Sequence, residues 1–347
     1  MPQPTVLITG GAGFVGGHVV RRLLASGGTA HAGAVRLLLH DRGVTVPDGA
    51  PTETVHGDLC DPDSLRGLCD GVDTLVHLAA QVGGDMERCL AVNVGGTEAL
   101  LAEATRAGVR RIIQLGTAAV YGDGPHRGEA ESVLPTAPVS PTSVTRLAAE
   151  KSVLAAGGLV LRPHLVYGEG DTWVIPSLVA LLRRVPHWVN AGRARTSVIA
   201  VEDLAAAVAA LVRSRAPLPS GRVLHANQPE PVRVRDLITT VTRALDLPLP
   251  RGEISTHRAL ELLDALDDPA GARRLSLLAV DHWYDGSALW RLTGTDPGPG
   301  FAARFARHAP GTGPPWRPRR PRGPGRRPEP SDRGGRTAQD DRQTKAA

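Results

Sequence analysis

Aromatic residues are scarce in this chain: three Tyr, three Phe and five Trp make up 3% of 347 residues, too few for a stacked-base platform that would hold single-stranded nucleic acid. Cysteine is scarce too. Cys60, Cys69 and Cys89 form an odd set without CxxC spacing, which indicates neither a disulfide framework nor a zinc site and fits a reducing, cytoplasmic setting. No run approaches the ~18 charge-free apolar residues of a spanning helix, and the first residues lack the basic and long apolar regions of a signal peptide. A membrane partner is therefore not expected. Lysine is nearly absent: only Lys151 and Lys345 among forty basic residues.

What is present suits a soluble enzyme, with 41% hydrophobic and 22% charged residues sufficient for a sizeable core. The net charge of +5 is unevenly placed. Residues 311–347 hold ten basic and four acidic residues, leaving thirty and thirty-one in residues 1–310, so the body is near neutral and nucleic acid is not an expected partner. Seven Pro and almost no apolar side chains mark 311–347 as a disordered Pro/Arg-rich tail.

Apolar runs of three to five residues alternate with helical patterns through the first half: Val6-Leu7-Ile8, Val35 to Leu39, Thr54 to His56, Thr74 to His77, Arg111 to Gln114 and Leu159 to Leu161. Such runs read as parallel strands buried on both faces, hence an α/β fold with a doubly wound parallel sheet. After Pro163 the pattern becomes a mosaic. Helices are expected near 175–184, 203–212, 234–245 and 257–266, with strands near 197–199 and 223–225, giving a smaller, mainly helical C-terminal lobe over the carboxyl ends of the strands.

Thr9-Gly10-Gly11-Ala12-Gly13-Phe14-Val15-Gly16 follows the first strand and opens the first helix. There Gly10 permits a tight turn, Gly13 lets a pyrophosphate approach the backbone, and Gly16 lets helix and strand pack closely. The domain division follows from this: residues 1–165 as a Rossmann dinucleotide-binding domain with a return segment 197–225, and 166–196 with 226–310 as a substrate lobe.

With Gly57-Asp58-Leu59-Cys60-Asp61, His77-Leu78-Ala79-Ala80 and Asn93-Val94-Gly95-Gly96-Thr97, the order and spacing resemble the extended short-chain dehydrogenase/reductase superfamily, of the NAD-dependent epimerase/dehydratase kind. The resemblance implies that Gly10, Gly13, Phe14, Val15 and Gly16 cradle the cofactor. It also implies that Asp58 and Leu59 meet the adenine, and that Leu78, Ala79, Ala80, Arg146 and Pro163 line the dinucleotide path. His40-Asp41-Arg42 at the end of the second strand carries two signals: Asp41 would accept from the ribose hydroxyl of NAD(H), whereas Arg42 with His40 would pair with the 2′-phosphate of NADP(H). NADP(H) is the preferred reading, with NAD(H) open.

Reductases of that family use a Ser or Thr followed by a Tyr and Lys in a YxxxK pattern. Thr117, in Leu115-Gly116-Thr117-Ala118-Ala119-Val120-Tyr121, matches the first element. The second aligns with Pro141-Thr142-Ser143-Val144-Thr145-Arg146-Leu147-Ala148-Ala149-Glu150, so Thr142 replaces Tyr and Arg146 replaces Lys. A phenol titrates near 10 and a Thr hydroxyl near water's ~15.7, so Thr142 is a poor proton donor. Arg146 stays protonated and binds oxyanions or hydroxyls without shuttling a proton.

Leu165 and Thr196 stand where sugar-nucleotide enzymes of the family carry contact residues, and the Leu161-Arg162-Pro163-His164-Leu165-Val166-Tyr167-Gly168 run is similar to that of reductases acting on flat ketones. Gln81, Tyr121, His164, Trp173 and His187 are the candidate substrate contacts, with Trp188 beside them. The whole pattern is similar to atypical ketoreductases acting on an aromatic polyketide, an angucyclinone, in antibiotic biosynthesis. It implies NAD(P)H-dependent reduction with substrate-assisted proton delivery. A non-catalytic dinucleotide-binding partner protein and a sugar-nucleotide epimerase or dehydratase are the alternatives, and a homodimer is left open.

Overall fold

In a computed structural model, which describes residues 5–25, 34–40 and 52–308, the apolar runs of the first half become strands: β1 (Thr5–Thr9), β2 (Val35–Leu39), β3 (Thr52–His56), β4 (Val72–His77) and β5 (Arg111–Leu115). After the outlying β6 (His126–Glu129), β7 (Leu159–Arg162) rejoins them. Leu7, Ile8, Leu37, Leu75, Ile113, Val160 and Leu161 are fully buried because both sheet faces are covered, as continuous apolar runs require. One face packs on α1 (Phe14–Ala25) through Val19 and Leu23. The other packs on α3 (Gly96–Arg106) and α4 (Pro141–Ala155) through Leu100, Ala104 and Val153.

The helical segment between β4 and β5 is compound. A short α2 (Met86–Cys89) runs through a π-turn, Leu90–Gly95, into α3. This extra residue per turn rotates Asn93 into the interior, where it is 3% exposed.

Beyond β7 come β8 (Leu165–Tyr167), α5 (Val174–Arg184), β9 (Trp188–Val189), β10 (Arg195–Thr196), β11 (Val198–Ala200), α6 (Val201–Arg213) and β12 (Arg222–His225). They are followed by β13 (Val232–Arg233), α7 (Val234–Ala244), β14 (Glu253–Ile254), α8 (Thr256–Asp264), α9 (Pro269–Ala279), β15 (His282–Tyr284), α10 (Ser287–Thr293) and α11 (Phe301–Phe305). Among the described residues seven strands form one parallel sheet, ordered β12-β7-β5-β4-β1-β2-β3. The chain lays β2 and β3 on one side of β1 and β4 on the other, so a crevice opens at the carboxyl ends of β1 and β4, where such sheets hold ligands.

The C-terminal lobe is mainly helical. Small sheets, β13-β10-β15-β6, β8-β11 and β9-β14, brace it, and its core gathers Ile175, Leu178, Trp188, Leu237 and Val241 with Tyr167, Phe301 and Phe305. Of the strands of two or three residues, β11 answers the strand expected near 197–199; the others escape sequence reading because they are too short to show a period. No helix among the described residues is long and apolar enough to cross a membrane. The expectation of a disordered tail over 311–347 lies outside the described residues.

Candidate active site

The glycine turn after β1 has the geometry its sequence demands. Gly10 sits at φ +72°, and a Cβ there would lie 2.6 Å from the Ala79 nitrogen; a Cβ on Gly16 would overlap the Gly10 carbonyl oxygen. The Gly13 N–H donates to that same carbonyl at 2.9 Å, and Phe14 and Val15 open the twelve-residue α1. A groove of about 370 Å³ runs from this turn between the Gly57-Asp58-Leu59 bend and the Leu78-Ala79-Ala80-Gln81 segment. Its glycine floor and the positive end of α1 fit a dinucleotide pyrophosphate.

At the adenosine end, Asp58 Oδ1 accepts from the Cys60 N–H at 2.8 Å, and Oδ2 lies 3.8 Å from His40 Nδ1. The opposite wall is Arg88 and Val92, one helical turn apart. The Arg88 backbone is capped by Asp85 at 2.8 Å and its guanidinium reaches to 3.9 Å from Cys60 Sγ. Asp41 and Arg42, the expected cofactor discriminators, lie outside the described residues.

A directed hydrogen-bond chain supports the groove's other wall. Thr97 Oγ1 donates to the Asn93 carbonyl at 2.6 Å, so His77 must donate from Nε2 to Thr97 Oγ1 at 3.0 Å. His77 Nδ1 then accepts from the Thr9 hydroxyl at 2.7 Å, and Thr9 Oγ1 accepts from the Ala79 N–H at 3.2 Å. Every proton is assigned, and the imidazole is neutral. Burial, with a smaller contribution from the Arg146 charge, pushes the His77 pKa down to about 4. Asn93 clamps both the N–H (2.7 Å) and the carbonyl (3.1 Å) of Gln81 and donates to Thr145 Oγ1 on α4 at 3.0 Å.

At the expected catalytic positions, Thr117 Oγ1 accepts from the Ala119 N–H at 3.2 Å, which leaves its own proton to donate. Arg146 donates through Nη2 to the Leu115 carbonyl and, at 2.8 Å, to the Gly116 carbonyl, directly before Thr117. Burial lowers its pKa and Glu150 offsets part of that; a guanidinium is nevertheless not deprotonated in proteins and keeps its charge. Thr142 Oγ1 accepts from the Gly83 N–H at 3.0 Å, and Gln81 Nε2 donates to the Gly83 carbonyl at 3.0 Å. Trp173 is 56% exposed, and its indole tip would lie 3.9 Å from a Cβ on Gly83. The Gly83 turn thus gathers Thr142, Gln81 and Trp173.

Four other residues expected at the substrate lie elsewhere. Tyr121 is buried with its hydroxyl donating to His225 Nε2 at 2.7 Å and accepting from Arg162 at 2.9 Å; it is absent from the groove lining. His164 stacks on His282 with centroids 5.7 Å apart and packs against Tyr284; burial, then neighbouring histidines, pushes its pKa down to about 3. His187 borders a small apolar cavity of about 30 Å³ between α5, α7 and α9, while Trp188 lies in the lobe core under Arg235. Pro163, expected along the dinucleotide path, directly follows β7 and is absent from the groove lining, its carbonyl accepting from the Ala118 N–H at 2.8 Å.

Sequence reading missed Arg88 and Glu150. The Arg88 signal was its i, i+4 spacing to Val92. Glu150 is fully buried, ion-paired with Arg162 at 2.7 Å, and accepts from the Thr117 N–H at 3.4 Å. Burial works against the Arg162 charge, but Glu150 and Tyr121 outweigh it and raise its pKa.

Residues 6–226 match the model of the NAD dependent epimerase/dehydratase family. A ketoreductase of 4-hydroxy-2-methyl-3-oxo-4-farnesyl-3,4-dihydroquinoline-1-oxide from Stigmatella aurantiaca is 28% identical over 78% of this chain and 84% of its own. Sterol demethylase protein B of Methylococcus capsulatus is 35% identical over 50% of this chain; the match spans about half of that relative, 55%. The dTDP-glucose 4,6-dehydratase of Streptomyces venezuelae, solved with NAD bound, superposes with a TM-score of 0.68 over 88% of this chain and 95% of its own; at 23% identity it shows the fold alone.

Proposed function

The chain belongs to the NAD dependent epimerase/dehydratase family, and on that premise we propose that it is an NAD(P)H-dependent ketoreductase of an aromatic polyketide ketone, such as an angucyclinone, in cytoplasmic antibiotic tailoring. One observation carries this reading: the three catalytic positions hold hydrogen-bond donors and a fixed cation but no base, and the nearby Glu150 carboxylate is ion-paired with Arg162. Epimerisation and dehydration begin by oxidising an alcohol, which requires a group that takes its proton. Thr117, Thr142 and Arg146 do not provide one. Reduction runs the other way: its proton can come from the substrate, and the site's part is to stabilise the oxygen as negative charge develops on it.

The nicotinamide, when bound, supplies the hydride. Thr117 donates its hydroxyl proton in a hydrogen bond to the ketone oxygen, and the Arg146 charge, anchored at the Gly116 carbonyl, favours the developing oxyanion. Proton delivery falls to the substrate: a phenol beside the carbonyl, already hydrogen-bonded to it, gives its proton to the oxyanion and is reprotonated from water. The exposed Trp173 and Val82 suit a flat apolar ring, and the Stigmatella relative's ketone substrate agrees. His40 and Arg88 at the adenosine end favour NADP(H).

NADPH consumption with an angucyclinone ketone tests the reading, with product mass checked and enzyme-free controls. A product two hydrogens heavier is expected, with Arg146→Met lowering kcat about a hundredfold. NADPH binding without product across related aromatic ketones would instead identify a non-catalytic dinucleotide-binding protein.

A further inference from the structure

Thr142 occupies the acid position yet is engaged as an acceptor, and its partner is the turn that meets Trp173. Gly83 and Gly84 sit at φ +74° and +97°, backbone that glycine adopts at little cost, so the turn has no intrinsic stiffness. It is held instead by its polar groups. The Gly83 N–H goes to Thr142 Oγ1 at 3.0 Å, and its carbonyl accepts from Gln81 Nε2 at 3.0 Å and from the buried Cys89 thiol at 3.6 Å.

The facing wall is fixed as firmly. Asp171, 3% exposed, accepts from the N–H groups of Trp173 (2.7 Å), Val174 (2.9 Å) and Ile175 (2.8 Å), which caps α5 and fixes the backbone that carries the indole. His18 on α1 donates to the Glu169 carbonyl at 2.9 Å, tying the same segment to the sheet. An exposed indole on a fixed backbone therefore faces a glycine turn whose amide contact to α4 is one hydroxyl.

We propose that Thr142 is a positioning residue: its hydroxyl latches the Gly83 turn opposite Trp173, and the two form the specificity wall that orients a flat aromatic ketone. The residue that lost the family's acid chemistry thus shapes the substrate entrance. This deepens the ketoreductase reading and rests on it for its kinetic part only.

The test compares full-length Thr142→Val, which keeps shape and loses the acceptor, with Thr142→Ser, which keeps the hydroxyl; Thr142→Ala repeats it without the branched side chain. Amide exchange over residues 82–85 is expected to rise about tenfold in the Val and Ala variants and to stay at the wild-type rate in the Ser variant. With the ketone, KM should rise about fivefold to tenfold while kcat and its pH profile hold, and Ser should restore KM. Unchanged exchange in both hydroxyl-free variants overturns the latch. A hundredfold fall in kcat at constant KM overturns it too, by making Thr142 a proton relay. A wild-type protein that reduces no ketone defeats the functional reading, while the exchange result still decides the latch.

Discussion

Acidification charges His77 in the unfolded chain well before it charges the folded one. A histidine free in solution titrates near 6.5, whereas burial holds His77 at about 4; between these values the unfolded state binds one more proton than the native state. Stability must then fall as pH falls, by up to 1.4 kcal/mol per pH unit. Integrated over the window, the loss is about 2 kcal/mol by pH 5 and about 3 kcal/mol by pH 4, and the contribution is fully present above pH 6.5. The local consequence is specific. A proton on Nδ1 opposes the donation from Thr9, so the Thr9 hydroxyl behind the cofactor groove must turn its own proton to another acceptor. Urea unfolding at pH 7, 6, 5 and 4 measures the effect when wild type is set against His77→Asn, which does not titrate in this range. Burial also lowers the pKa of His18, His164, His225 and His282, so wild type as a whole will be acid-labile, and only the difference in slope reports His77. Parallel stability curves for the two proteins would refute the assignment.

Neighbouring glycines of α1 should respond with opposite signs. Gly16→Ala drives a Cβ into the Gly10 carbonyl, which cannot move aside, and should cost about 3 kcal/mol and NADPH binding. In Gly17→Ala the nearest atom is 3.7 Å away, so calorimetry should show a gain of up to ~1 kcal/mol from helix propensity. Arg88→Ala should weaken NADPH binding about tenfold with kcat unchanged. Titration with adenosine 2′,5′-bisphosphate and with 5′-AMP shows whether the lost contact is to the 2′-phosphate or to the rest of the adenosine; equal affinities in wild type and variant for both would remove Arg88 from the site.

Legibility followed the range of the interactions. The Gly10-to-Gly16 turn is written locally, because each glycine answers a backbone contact within a few residues or with the adjoining β4 end, and the parallel strands announce themselves as unbroken apolar runs. The catalytic region was legible only as far as its replacements. That Thr142 stands where the resembled reductases carry a Tyr follows from the motif spacing; that its hydroxyl accepts from Gly83, fifty-nine residues earlier, depends on how α4 docks. Tyr121 and His164 show why polar aromatics mislead: the same ring suits a pocket wall or a buried network. Here Arg162, Glu150 and His225 complete the network, and Arg162 and His225 arrive on β7 and β12 from distant parts of the chain. Arg88 went unread because one cation in a polar stretch has no pattern until Val92 and the groove give it a direction.

The sheet's outer strand, β12, reaches β7 only after the chain has passed through the first half of the lobe. Swapping everything beyond β7 for another C-terminal half, as an evolutionary or engineered route to a new substrate, would therefore strip β7 of its outer neighbour and leave a row of bare amides and carbonyls open to pairing with other molecules. It would also remove His225 from Tyr121. New specificity in this scaffold is more accessible through point changes at the entrance, around Gly83 and Trp173, than through exchange of modules.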